Sequence, residues 1–424
     1  MILSNLSVPL LGLVDTAILG HLPTPTYLSA VALGSSLIAM VLWSLGFLRM
    51  GTTSLVARAF GAGERELVEA LLLRSLVLAF ALGLLLLLLS PLLIDVALAW
   101  MAPSAEIAPF TASYCQLRLL SAPFALANIA LMGWFIGRQN TLIPLLILVF
   151  TNLLNLLLDW VLVMELQLNS DGAALATVSA DICAFLLAIA IARRHLQAPA
   201  SQLWQWLRSP LREYTELLQA NRYLFVRTLC LLSVLTFFNA QGARMGDITL
   251  AANAIIFQLL LLTSYGLDGI AHASEALVGE ARGRRNPARL RDVVITSGLW
   301  SAAIAGAMAL AFLLSGNPLF RLFTDLPQVL AALEHYALWV VLLPLAALWG
   351  FWLDGVFIGA GELRYMQNAM LVCALGIFFP LWWLTQGWGN HGLWLAFSLF
   401  SLARGVSLGI GLPRLWQPQT ASLD

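Results

Sequence analysis

Long apolar runs with almost no charge follow one another along the chain, and they restrict its fold more than any other feature. A run of about 18 or more such residues can cross the hydrocarbon core of a bilayer as a helix. Inside that core every backbone N–H and C=O must bond internally, which confines spanning segments to helices or closed barrels. Recurrent runs of helical length therefore predict an all-α polytopic membrane protein. Of the 424 residues, 60% are hydrophobic and 10% charged, whereas a soluble domain carries about a quarter charged residues. The zero net charge gives no sign of a nucleic-acid partner. All 22 basic residues are arginine, which we read as a compositional bias.

We expect twelve spans, at about 2–20, 28–57, 71–100, 109–137, 141–163, 172–194, 222–242, 249–279, 292–315, 328–359, 365–387 and 391–412. Several are longer than a bilayer needs, so they tilt or protrude. Arg58, Arg65, Arg138, Arg193, Arg194, Arg282, Arg284, Arg285 and Arg364 fall in or beside connections that follow even-numbered spans. Connections after odd-numbered spans hold only Arg244 and Arg321. By the positive-inside rule the even connections, and both termini with them, are cytoplasmic. No cleavable signal peptide is expected, because no basic leader precedes the first apolar run. Residues 198–221 form the longest polar stretch, with Pro199, Trp204, Trp206 and Pro210. They read as an amphipathic linker on the inner surface, dividing an amino-terminal lobe (1–197) from a carboxy-terminal lobe (222–424).

The two halves repeat. Gly133-Trp134-Phe135-Ile136-Gly137 recurs as Gly355-Val356-Phe357-Ile358-Gly359, an offset of 222. Ala30-Val31-Ala32 matches Ala252-Asn253-Ala254, and Val56 to Gly61 matches Val278 to Gly283, at the same offset. Gly172-Ala173-Ala174-Leu175-Ala176 matches Gly392-Leu393-Trp394-Leu395-Ala396 at an offset of 220. Six spans per half is an even number, so both halves enter the membrane from one side. The repeats are then parallel and related by an axis along the membrane normal.

Chemistry of the ordinary enzymatic kinds finds no foothold. The four cysteines (Cys115, Cys183, Cys230, Cys373) and five histidines (His21, His195, His272, His335, His391) have neither metal-ligand nor redox spacing. A phosphate-binding loop of the Gly-x-x-x-x-Gly-Lys type is impossible without lysine. A nucleophile–base pair on facing helices is not evident either. The sequence predicts neither an enzyme nor a metal or cofactor site.

Charges inside the spans are another matter, because each costs roughly 2.5–3.5 kcal/mol at the centre of a spanning helix. Span one carries a single acid, Asp15, one to two turns after Pro9 and Gly12. Proline removes a backbone hydrogen bond and lets the helix bend there. In span five Asn152, Asn155 and Asp159 fall at i, i+3 and i+7, on one face. Span four offers Tyr114 and Asn128, and span six offers Thr177 and Asp181. Counted from the expected span ends, Asp15, Tyr114, Asp159 and Thr177 all lie roughly 6–9 Å below the outer surface. That common level permits one cluster, which the second half does not repeat: the positions equivalent to Asp15 and Asp159 are Phe237 and Phe379. A buried hydrogen-bond knot that merely holds the bundle is the plainer reading of Asp159 and Asn155.

The second half has its own stripe, Asp268, His272 and Glu275 at i, i+4 and i+7, with Arg227 and Asp354 elsewhere. Asp268 lies deep in an inward-running span, near the cytoplasmic side. An interfacial charge network with Arg227 or Arg49 and a second cation or substrate contact are both open readings. Met40, Met50, Met132, Met245 and Met366, with Trp43, Trp134, Trp349 and Trp352, suit an adaptable apolar pocket, although core or lipid-facing roles are commoner for such residues.

These residues together resemble the MATE (multidrug and toxic compound extrusion) family, most closely its DinF subfamily. The resemblance rests on Pro9-Leu10-Leu11-Gly12-Leu13-Val14-Asp15-Thr16-Ala17, Phe47-Leu48-Arg49-Met50, Leu120-Ser121-Ala122-Pro123, Asn152 to Asp159, Gly172 to Thr177, and Leu353-Asp354-Gly355-Val356-Phe357-Ile358-Gly359-Ala360. It implies a V-shaped twelve-helix antiporter that exports cationic or amphipathic compounds against protons or sodium ions. It implies that Asp15 is the central coupling acid, with Tyr114, Asn155, Asp159 and Thr177 as partners and Pro9 as the bend. Other branches place a carboxylate cation site in the second half, where span seven here has Arg227 and no acid. The expectation is a monomeric secondary exporter in a bacterial inner membrane, with no cofactor beyond H⁺ or Na⁺. A lipid-linked precursor flippase of related architecture is the alternative. It would need a strongly basic cavity, which the first-half acids disfavour.

Overall fold

A computed structural model describes residues 24–416, so the expected first span, with Pro9 and Asp15, lies outside the described residues. Among the described residues there is no strand. The first half comprises α1 (Pro25–Ser44), α2 (Phe47–Ala62), α3 (Arg65–Met101), α4 (Ala108–Leu119), α5 (Ala122–Gly137), α6 (Leu142–Asp159) and α7 (Asn169–Arg193). The short α8 (Ala200–Leu207) leads into α9 (Thr215–Arg244), α10 (Asp247–Gly283), α11 (Pro287–Arg321), α12 (Pro327–Ala360), α13 (Leu363–Cys373), α14 (Phe379–Thr385) and α15 (Asn390–Leu415). Ten stretches of helix are long and apolar enough to cross a membrane, and α4 with α5, bent by 51°, make an eleventh. These eleven correspond to expected spans two to twelve. At 37 residues, α3 and α10 are each about 55 Å long and exceed a bilayer core of about 30 Å.

Several differences from the expected elements have local causes. Spans four and eleven are not straight helices. Span four breaks at Leu120–Ser121, immediately before Pro123, which lacks the N–H that a continuous helix would use. Span eleven passes through a π-helical turn, Ala374–Phe378, ahead of Pro380. Span seven begins at Thr215, not 222, so the end of the polar stretch is already helical. That stretch is tied to α3: Glu69 accepts from the backbone N–H groups of Gln197 and Ala198 at 3.0 and 3.1 Å, and Arg74 pairs with Glu213. Trp204 on α8 is exposed, with Arg208 over its ring.

The described chain forms two compact units, one holding the residues up to Val56 with Glu64–Leu218, the other Ala57–Gly63 with the chain from Gln219. In the first, Val31, Ile38, Ile94, Tyr114, Cys115, Leu119, Ala122, Val163, Ala173 and Ala174 make a buried core. The second is packed by rings, with Phe238, Trp394, Phe397 and Phe400 buried together and Phe238 4.5 Å from Trp394. Leucines such as Leu88 and Leu314 are more than three-quarters exposed, as lipid-facing residues are.

The internal repeat is visible in how backbone meets backbone. A Cβ on Gly133 of α5 would sit 2.6 Å from the carbonyl of Arg49 on α2, and one on Gly355 of α12 would sit 2.5 Å from the carbonyl of Ala271 on α10. Both partners of the first contact are displaced by 222 residues in the second. Glycine is required at each because any side chain would meet a main-chain oxygen. Within the second unit Gly61 abuts the carbonyl of Glu280 and Gly283 abuts that of Arg58, a reciprocal pair at the same offset.

Candidate functional site

Asp159 ends α6, where the chain turns into a π-helical segment, Trp160–Glu165. Single π turns rotate the following residues out of α-register and recur at functional sites. Asn155 and Asp159 are buried, 0% and 1% exposed. The Asn155 amide lies between Asp159 and Thr177 of α7. With its nitrogen toward the acid it donates to Asp159 Oδ2 at 3.0 Å, and its oxygen faces Thr177 N and Oγ1 at 3.2 and 3.1 Å. The opposite orientation has its nitrogen donating to Thr177 Oγ1 at 3.1 Å and its oxygen toward the carboxyl. Hydrogen-bond logic sets the orientation: a carboxylate only accepts, so it selects the nitrogen, while a protonated carboxyl can pair with either end of the amide.

Tyr114 of α4 shares the buried core with Val163, just beyond Asp159, and with Ala173 and Ala174, one turn before Thr177. Thr177 itself bonds the Ala173 carbonyl at 3.0 Å. The structure thus brings Asn155, Asp159 and Thr177 into hydrogen-bonding distance and places Tyr114 in the core formed with Val163, Ala173 and Ala174 beside them. Asp181 and Asn128 serve elsewhere. The Asp181 carboxylate is taken by Arg118 at 3.2 Å and by the Ser121 hydroxyl at 2.8 Å, while Asn128 donates to the Asp181 carbonyl at 2.9 Å. That network fastens the α4–α5 bend to α7.

In the second unit Asp354 of α12 pairs with two arginines, Arg227 of α9 and Arg404 of α15, the latter at 2.6 Å. All three are at least nine-tenths buried. Of the expected second-half stripe, Glu275 is buried, and Asp268 and His272 are half-buried along α10; the ion pair of Arg227 is with Asp354. Arg118 and Arg404 escaped the reading of the sequence. The signal was there, since each is a lone arginine inside an apolar span and needs an anion partner.

The MatE family profile matches residues 1–161 and 224–384, most of both halves. The DNA damage-inducible protein F of Escherichia coli (strain K12) is 40% identical over 422 residues, covering 99% of this chain and 91% of its own. The chain belongs to the MATE family. It is therefore a multi-pass membrane protein of a transporter family, not an enzyme family. A probable multidrug resistance protein NorM from Bradyrhizobium diazoefficiens is 28% identical over 413 residues, covering 91% of this chain and 85% of its own. A solved MATE family multidrug transporter in an outward-facing conformation superposes with a TM-score of 0.86 at 22% identity, covering 99% of this chain and 95% of that one. A MATE structure in a bent conformation gives 0.82 at 21% identity, covering 98% and 93%. These likenesses establish the MATE fold.

Proposed function

We propose that this MATE protein is a secondary exporter of cationic or amphipathic small molecules, driven by protons or sodium ions, in a bacterial inner membrane with both termini cytoplasmic. The observation that carries the coupling site is the buried Asp159–Asn155–Thr177 arrangement. The Asn155 amide is a neutral partner that can meet Asp159 in either charge state. Protonated, Asp159 gains an O–H donor beside its remaining acceptor oxygen, so both orientations of the Asn155 amide, and both forms of its bond to Thr177, become available. The charge state of α6 is thereby communicated to α7. Asp15, outside the described residues, is the second acid of this proposed site, and Pro9 its bend. Neutralising the acids from outside weakens the hold on a cationic substrate and shifts the population toward its release. The relatives' names, multidrug resistance among them, support the substrate class.

The test is substrate efflux from proteoliposomes under an imposed pH or sodium gradient, comparing wild type with Asp15→Asn and Asp159→Asn. The proposal requires one gradient to drive export and both variants to lose it while inserting normally. Wild-type export by either variant rejects its acid as a coupling residue.

A further inference from the structure

α12 and α15 are joined in their early turns by a chain of three rings. The Trp339 indole N–H donates to His391 Nδ1 at 3.0 Å, and His391 Nε2 lies 2.9 Å from His335 Nε2. An indole nitrogen is a donor only, so Nδ1 of His391 holds its lone pair. Neutral His391 therefore carries its proton on Nε2 and gives that hydrogen bond to His335, whose own proton is on Nδ1. One contact fixes both tautomers. Tyr336 packs edge-on against both imidazoles, with centroids 5.1 and 5.0 Å away.

An additional proton has no place in this chain. On His391 it goes to Nδ1 and faces the indole N–H. On His335 it goes to Nε2 and faces the N–H of His391. Moving the shared proton so that His335 donates forces the His391 proton onto Nδ1, against the indole again. Every route breaks one of the two hydrogen bonds that tie α12 to α15. We propose that His335 and His391 form a proton-binding site whose occupation releases the early turns of α12 from α15.

The surroundings leave the pair as the titrating unit. Glu334, next to His335, is engaged by Asn317 of α11 at 2.6 Å. Asn390, next to His391, exchanges bonds with Asn253 of α10 at 2.8 and 2.9 Å. The turn Gln386–Trp388 leading into α15 has no titratable side chain, and Tyr336 is the remaining titratable ring against the pair. A divalent metal would need the Nε2 lone pair of His391, which the indole contact assigns to the other nitrogen. The arginine distribution puts this end of both helices outside the cytoplasm, where acid is met first. The inference does not depend on the amino-terminal acids.

The test is hydrogen exchange in full-length protein in liposomes, corrected for the intrinsic pH dependence of exchange, over peptides covering 327–339 and 386–393. Wild type is expected to lose protection several-fold between pH 7.5 and 5.0. His335→Gln combined with His391→Gln, which removes both titratable rings and keeps amide donors and acceptors between the helices, is expected to show equal protection at both. In Trp339→Phe the freed Nδ1 accepts the first proton without loss of the His–His bond. Its release is therefore expected to move about half a pH unit or more to the acid side. A merely structural tryptophan would give the opposite shift, since removing a bond ordinarily makes a contact easier to lose. Unchanged wild-type protection, acid release that persists when both histidines are glutamine, or release of Trp339→Phe at equal or higher pH would each overturn the proposal.

Discussion

Asp159 and Asp354 are both carboxylates buried in spanning helices, yet their company differs in kind. Asp159 is met by the amide of Asn155, Asp354 by the guanidinium groups of Arg227 and Arg404. Protonating Asp354 would leave two buried cations without their anion, so its charge is fixed by its surroundings. Asp159 meets a neutral amide that can pair with either of its charge states. The two halves share a frame, and the charges placed in it differ: Asp159 faces a neutral amide, the arrangement on which the proposed coupling role rests, while Asp354 ties three helices together.

The comparison breaks most decisively at Asp159. Asp159→Asn is expected to reduce efflux at least tenfold with membrane abundance unchanged, measured by substrate accumulation in cells and by immunoblot. Asp354→Asn should act on stability instead, costing about 3–5 kcal/mol by stranding buried arginines. A fall in the thermal unfolding midpoint in detergent reads this, and adding Arg404→Gln should recover part of it. If Asp354→Asn unfolds at the wild-type temperature but exports nothing, the assignment of roles is reversed. Gly133→Ala and Gly355→Ala sharpen the shared frame: each forces a methyl onto a carbonyl and should cost about 1–3 kcal/mol, by similar amounts in the two halves. The smallest effect is a control. Burial and the nearby Arg138 hold the His195 imidazole below its ordinary value of 6.5. The neutral form is thus the one the fold favours, and stability rises with pH through the window just below that value. Exchanging it in His195→Gln should leave the pH profile of export unchanged, and a shifted profile would show that part of the acid response does not come from Asp159.

Much of the fold was legible because a membrane punishes ambiguity. Apolar length alone located the eleven described spans, and the repeated glycines fell where backbone meets backbone within each unit. The grouping of Asn155, Asp159 and Thr177 followed from helical spacing and a count of depth. What escaped was partnership across helices. Span six offered Asp181 beside Thr177 with no partner assigned, and it is Arg118 and Ser121 of another span that claim it. Asp354 stood apart from the stripe of Asp268, His272 and Glu275 with no partner assigned to it, and its partners come from α9 and α15. Spacing along one helix says which residues share a face, and nothing about which neighbour presents the complementary charge. The histidine pair was invisible for the same reason, its members being 56 residues apart.

The paired contacts of Gly133 with Arg49 and Gly355 with Ala271 have a historical consequence. After a duplication, each copy drifts except where a change is ruinous. Main-chain oxygen against α-carbon admits no substitute on one side and any residue on the other, which is why an arginine in one copy stands opposite an alanine in the other. An ancestral half inferred from this chain alone would be recovered at its joints and lost at its charges. The present difference between Asp159 and Asp354 would then be younger than the frame that carries it.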